Sequence, residues 1–139
     1  MKLFLIFAIA LFIITASCTS TKENTMTKTP LYGIKWSLKK IHADGGVEDV
    51  QTKAFIKFDE VKQSAGGNGS CNNFGSSTTI NNNEISFKNI FSTKMYCEAV
   101  QKTEDSFFKQ LANVNRFEIK AYNLVLFHDK EVLLEFVSE

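Results

Sequence analysis

The sequence predicts a mainly β (α+β) domain, a small antiparallel meander or barrel carrying one amphipathic α-helix, and three observations predict it. Apolar and polar residues alternate at Ile34, Trp36 and Leu38 against Lys35, Ser37 and Lys39, the two-residue period of a half-buried strand. Short stretches of this kind are separated by turn sequences such as Asn81-Asn82-Asn83 and His128-Asp129-Lys130. One stretch breaks this pattern: from Glu98 to about Ala112 there is no Gly or Pro, and Val100, Phe107, Phe108 and Leu111 keep a helical spacing.

The chain opens with MKLFLIFAIALFIITASC, in which Lys2 precedes an unbroken apolar run from Leu3 to Ile14. Small residues then lead to Cys18, the order of a secretory signal that is removed from the mature protein. A membrane-spanning helix needs roughly 20 apolar residues, and this run ends at Thr15. Ala16-Ser17-Cys18 resembles a bacterial lipobox, with Thr15 where that signal usually has leucine. The resemblance implies cleavage after Ser17 and acylation of Cys18; the alternative is ordinary secretion with Cys18 a free thiol. Each buried methylene of an acyl chain contributes about 0.8 kcal/mol, so two or three chains hold a protein at a bilayer almost permanently. Thr19 after the cysteine, rather than Asp, resembles sorting to the outer membrane.

From Cys18 to Pro30 the chain is rich in Thr, Lys and Asn and too polar to offset its ordering entropy, so residues 18–30 read as a flexible tether. Residues 31–139 form one domain's worth of chain. Without Lys2, the basic residues balance the 15 acidic ones. A neutral chain lacks the basic field that a phosphate backbone demands, so no nucleic acid partner is expected. A monomer is expected.

Within the domain the strands follow in order. Ile34 to Leu38 opens it, and Phe55 to Phe58 places Ile56 and Phe58 on one face. Ser76 to Ile80 leads into the asparagine turn, after which Ile85, Phe87 and Ile90 follow. Phe117 and Ile119 alternate with Glu118 and Lys120; Asn123 sits in a turn before Leu124 to Phe127; Leu133, Leu134 and Phe136 close the sheet. On the helix, Thr103, Glu104, Lys109 and Gln110 are read as lying off the apolar stripe. Thirteen Phe is a high count for this length, and most are expected in the core.

These residues resemble the META domain, the HslJ-like family of bacterial envelope proteins. Trp36-Ser37-Leu38 opens the match, GGNGSCNNFGSS runs from Gly66 to Ser77, and Ile90 to Cys97 contains Ser-Thr-Lys-Met-Tyr-Cys. A helix with Glu104, Phe107 and Leu111 follows, then Tyr122 to Leu126. Phe74 is followed at once by Gly75, one position earlier than the family pattern places that glycine. The resemblance implies a small barrel with lipocalin-like connectivity and one helix. It implies links to heat shock, motility and envelope stress, and no enzymatic activity.

With Cys18 lipidated, Cys71 and Cys97 remain, and an even pair in an oxidising compartment reads as one disulfide. Two buried thiols packing as small hydrophobes are the alternative. No zinc site is expected, because His42 and His128 are far apart in sequence and each reads as an exposed turn or strand-edge residue.

Gly66 to Ser70 lacks the Lys-Ser/Thr ending of a phosphate loop and reads as a turn whose glycines permit positive φ. Asn68-Gly69-Ser70 matches a glycosylation acceptor in form only. Asn72 and Asn73 either satisfy buried backbone groups or, if exposed, contact a ligand. The carboxylate pairs Asp59-Glu60, Glu104-Asp105 and Asp129 with Glu131 read as solvated. No nucleophile elbow is present, and neither catalytic residue nor cofactor is expected. The sequence thus favours a tethered envelope interaction or stress-response module, with binding of a small hydrophobic ligand inside the barrel as the alternative.

Overall fold

The computed structural model describes residues 29–139. The expected leader, Cys18 and all of the tether but Thr29 and Pro30 lie outside the described residues. Among the described residues are nine strands and one helix. These are β1 (Trp36–Ala43), β2 (Gly46–Asp49), β3 (Phe55–Asp59), β4 (Ser64–Asn68), β5 (Asn73–Asn81), β6 (Glu84–Ser92), α1 (Gln101–Asn113), β7 (Arg116–Lys120), β8 (Asn123–His128) and β9 (Glu131–Ser138). All pairings are antiparallel, neighbours follow in the order β2-β1-β3-β4-β5-β6-β7-β8-β9, and β1 also pairs with β9. The sheet therefore closes on itself as an up-and-down barrel, as expected.

Closure is uneven. β1 shares one edge between β3, which pairs at Trp36 and Ser37, and β2, which pairs from Lys40 to Ala43. The β6–β7 seam has a single register pair, Glu84 with Arg116. α1 is the connection between these two strands and packs against β6, β1 and β9. The Asp59–Ser64 connection lies at one rim of the barrel, beside Tyr32. The Asn68–Asn73 connection and residues 93–97 lie at the opposite rim.

Alternation along the strands aims Trp36, Leu38, Ile56, Phe58, Phe74, Phe87, Leu124, Leu126, Leu134 and Phe136 inward, where they join Phe107 and Leu111 of the helix in one cluster. Trp36, Phe107, Phe136, Leu38, Ile41, Ile56, Ile85, Leu111, Leu124, Leu126 and Leu134 are each less than 2% accessible. A void large enough for water would give its lining side chains accessible area, so the interior is filled beside these residues. That leaves no hollow there for a hydrophobic ligand. The Trp36 indole donates to the Leu31 carbonyl at 2.9 Å, pinning the incoming chain to the core.

Two strands depart from the expectation. Ala43-Asp44-Gly45-Gly46 makes a hairpin with positive φ at both Asp44 and Gly45, the two-residue turn that Asp-Gly favours. The glycines read as a turn instead lie in and just after β4, and none of Gly66, Gly67 and Gly69 has positive φ. What they meet is close approach. A Cβ on Gly67 would overlap the Phe55 carbonyl oxygen, and one on Gly66 would come within 2.9 Å of the Phe74 carbonyl.

Gly67→Ala is accordingly expected to cost about 3 kcal/mol by forcing β3 and β4 apart. Gly46→Ala, whose new methyl would meet nothing nearer than 3.8 Å, is expected to stay within about 0.5 kcal/mol of the parent. Urea unfolding of the two variants checks the pair.

The helix begins three residues later than expected, at Gln101, with Val100 in front of it and no side-chain cap. Glu104 and Gln110, expected on its solvated side, are buried.

Candidate functional site

The most specific sequence elements meet at the rim that carries the Asn68–Asn73 connection. There the β4–β5 turn folds back over the start of α1. Gly69 donates its backbone N–H to the Asn72 carbonyl at 2.8 Å. Asn68 steadies the turn, accepting from Ser70 N at 2.9 Å and donating to Asn73 Oδ1 at 3.1 Å. Gly69 is buried, and a Cβ there would come within 2.8 Å of the Phe108 ring and 3.0 Å of Glu104 Oε2. Phe74, Phe107 and Phe108 pack edge-on or tilted beneath, with ring centroids 5.2 to 5.4 Å apart.

Glu104 is the centre of this rim and is only 2% exposed. Its Oε2 accepts from Cys71 N at 2.9 Å and from Asn72 N at 2.6 Å, while Oε1 accepts from Asn72 Nδ2 at 2.6 Å. Burial pushes the carboxyl up, but the bonds from Asn72 and Cys71 and the charge of Lys94 outweigh it and hold the group below its ordinary value. The side chain is thus an anion at neutral pH with its lone pairs engaged. That is the chemistry of a structural anchor rather than of a proton donor.

Asn72 passes this anchoring outward. Its Nδ2 also donates to the Met95 carbonyl at 2.9 Å. Its Oδ1 accepts from Thr93 Oγ1 at 2.7 Å and from Met95 N at 2.8 Å. Thr93 N donates to the Asn73 carbonyl at 3.0 Å. The amide of one buried side chain therefore fixes the Met95 backbone and the Thr93 hydroxyl, and the disulfide between Cys71 and Cys97, Cα atoms 6.0 Å apart, fixes the loop's other end. Of the two readings left open for the asparagines, Asn72 satisfies buried backbone groups, and Asn73 is exposed.

The loop held this way, together with the end of β6, presents large apolar side chains to solvent. Tyr96 is 77% exposed, Met95 59% and Phe91 69%, with the Phe91 ring lying over Gly75. Beneath Tyr96 and Met95 runs an open cleft of about 380 Å³, walled on its far side by Gln101, Asp105 and Phe108.

Elsewhere the candidate residues stay apart. His42 lies on β1, half-buried, with Nε2 2.7 Å from Glu135 Oε1, a partner that sequence spacing does not reveal. His128 is exposed, its Nδ1 2.7 Å from the Asn113 carbonyl. Asp59 ends β3 and accepts from Lys62 N at 3.0 Å, and Asp129 sits in the turn after β8. Among the described residues no three His, Cys, Asp or Glu side chains converge as metal ligands would.

A closed antiparallel barrel, plugged by one helix and carrying a disulfide-clasped rim loop, defines the chain as a small β-rich domain. The chain belongs to the META domain family, whose match spans residues 29–139. No curated protein matches it. Among solved structures it is similar to an NMR structure of a protein from Burkholderia xenovorans, at 20% identity and a TM-score of 0.65, over 78% of this chain and 83% of that one. A second NMR structure is similar at 20% identity and a TM-score of 0.56, over 75% of this chain and 88% of that one. At this identity the likeness is one of fold.

Proposed function

We propose that the protein is a non-enzymatic interaction module of the bacterial envelope, tethered by acyl chains on Cys18 at the outer membrane and working by contact through the 91–96 surface. One observation carries this reading: the clasp holds rigid a loop whose most prominent side chains, Met95 and Tyr96, are apolar and exposed. Exposed aromatic residues on a pre-ordered backbone bind with little ordering cost, as interface anchors do. The described chain enters beside Tyr32, at the rim opposite the loop. A domain tethered from its N-terminus therefore carries the loop on its far side. A role in envelope stress fits such a module, and the domain acts as a monomer.

Two labels test the reading in living cells. Palmitate is incorporated into the parent protein and lost in Cys18→Ser. A photo-crosslinking residue in place of Tyr96 traps one or a few discrete envelope proteins, whereas the same residue in place of Val61, fully exposed near the other rim, does not. An unlabelled parent protein overturns the anchor. Identical products at the two positions, or lipid alone at position 96, overturn the contact surface.

A further inference from the structure

Residues 93–96 run on from β6 without a turn, and their backbone is paired along one border only. Thr93 N donates to the Asn73 carbonyl at 3.0 Å, so the ladder with β5 continues one residue past the end of β6. Two residues further on, the Asn72 side chain takes the place of β5. Its Oδ1 accepts from Met95 N at 2.8 Å, and its Nδ2 donates to the Met95 carbonyl at 2.9 Å. One carboxamide thereby supplies both bonds of a ladder pair. Successive residues of a strand turn their N–H and C=O groups to opposite borders. Ser92, Lys94 and Tyr96 therefore point theirs away from β5 and Asn72. The backbone groups of Lys94 and Tyr96 have no hydrogen-bond partner among the described residues. The open cleft of about 380 Å³ lies between this segment and the N-terminal half of α1, with Gln101, Asp105 and Phe108 on the helix wall. There Gln101 Nε2 donates to Asp105 Oδ1 at 2.9 Å, while Gln101 Oε1 is buried with no donor to meet it. One slot thus has an unpaired strand border on one wall and an unpaired acceptor in the other.

We infer that this slot takes an extended segment of another polypeptide, which adds to residues 92–96 as a further strand. The inference rests on the 91–96 region being the contact surface, and it names how the partner is held. The segment's carbonyls accept from Lys94 and Tyr96 N–H, its own N–H groups donate to the Ser92 and Lys94 carbonyls, and its outer border brings a donor to Gln101 Oε1. Paired strands lie about 4.8 Å apart. With α1 standing beside the border, a lone segment fits where the edge of a second folded barrel does not. The described chain enters at the opposite rim, beside Tyr32, which argues for another molecule rather than this chain's own N-terminal residues as the occupant.

Panning a display library of random linear peptides on the full chain, held in detergent, tests it. The recovered peptides are expected to bind one to one, to shift the Lys94 and Tyr96 amide protons of the ¹⁵N-labelled chain and slow their exchange with solvent, and to move the Gln101 side-chain amide. Methylating alternate backbone nitrogens of the peptide, which removes its donors to the border, is expected to weaken binding about tenfold or more. Lys94→Pro removes one donor on the free border and none on the bonded one, and is expected to weaken binding about tenfold, while Lys94→Ala stays within about twofold. No recovered peptide, unchanged Lys94 and Tyr96 amides, or equal binding by the methylated peptide overturns the inference, as does protection of the same amides by dimerisation of the chain alone. Discrete protein crosslinks at position 96 alongside any of these keep the contact surface and remove the added strand. Lipid alone at position 96 alongside peptide pairing removes the proposed surface function and keeps the added strand.

Discussion

Replacing Cys71 and Cys97 together by alanine is expected to lower stability by about 3.5 kcal/mol, the loop-closure value for a crosslink spanning this separation. The two cysteines are 26 residues apart in sequence. For a domain of this size that loss corresponds to a fall in Tm of roughly 10–20 °C. The loss is expected to be lopsided. The buried core does not involve either sulfur, so the reduced or substituted protein keeps its barrel. Residues 93–97 lose one of their two fixings and exchange their amides faster. Calorimetry of the double variant, and of the parent with and without dithiothreitol, measures the first effect; hydrogen exchange measures the second. A Tm within about 3 °C of the parent's would show that the clasp stands without its covalent half.

Glu104→Ala is expected to be at least as damaging, at about 4 kcal/mol, because it strips the acceptor from the Cys71 and Asn72 backbone N–H groups and leaves them buried. Glu104→Gln separates shape from charge. Its amide would turn a donor toward Asn72 Nδ2, which already needs an acceptor and cannot reverse without releasing Met95 N and Thr93 Oγ1. The carboxyl titrates lower in the folded chain than in the unfolded one. Its contribution is therefore complete above the unfolded value, near pH 4.3, and is lost as pH falls through the folded value. The parent should lose stability with acid across that window, and Glu104→Gln should show a shallower slope. Asp59, Glu118 and Glu139, which are also held low by nearby donors, supply the slope that remains. Urea midpoints from pH 7 to pH 3 for both proteins check this. Parallel curves would remove Glu104 from the acid response.

Two-residue alternation made most of the barrel legible, since β1, β3 and β6 to β9 put apolar side chains toward the core, whereas β5 turns Ser76 and Thr78 inward beside Phe74. β4 was not legible, because Ser-Ala-Gly-Gly-Asn has one apolar side chain and takes its extended form from β3 and β5 on either side. β2 is four residues long, but Asp44-Gly45 just before it is a hairpin signal that the strand reading passed over. Glu104 could also have been seen. Val100, Glu104, Phe107, Phe108 and Leu111 keep one helical stripe, so the acid lies on the buried face, and an acid there requires local donors. The cysteine pairing followed from counting and compartment. The choice between the two readings of Asn72 did not, because its partners are backbone groups of residue 95 and side chains 21 and 32 residues away, and only the folded loop brings them within reach.

The single register pair at the β6–β7 seam makes the molecule a rolled strip rather than a hoop. Unrolling it there breaks few ladder bonds, so a partial opening has a natural starting line. Along that line α1 serves as the latch, and the latch is caught at its N-terminal end by the Glu104 bonds and, just ahead of it, by the disulfide at Cys97. A swollen, half-opened form would bare two strand borders able to pair with another chain. The rim clasp therefore also works as a guard against self-association through those borders.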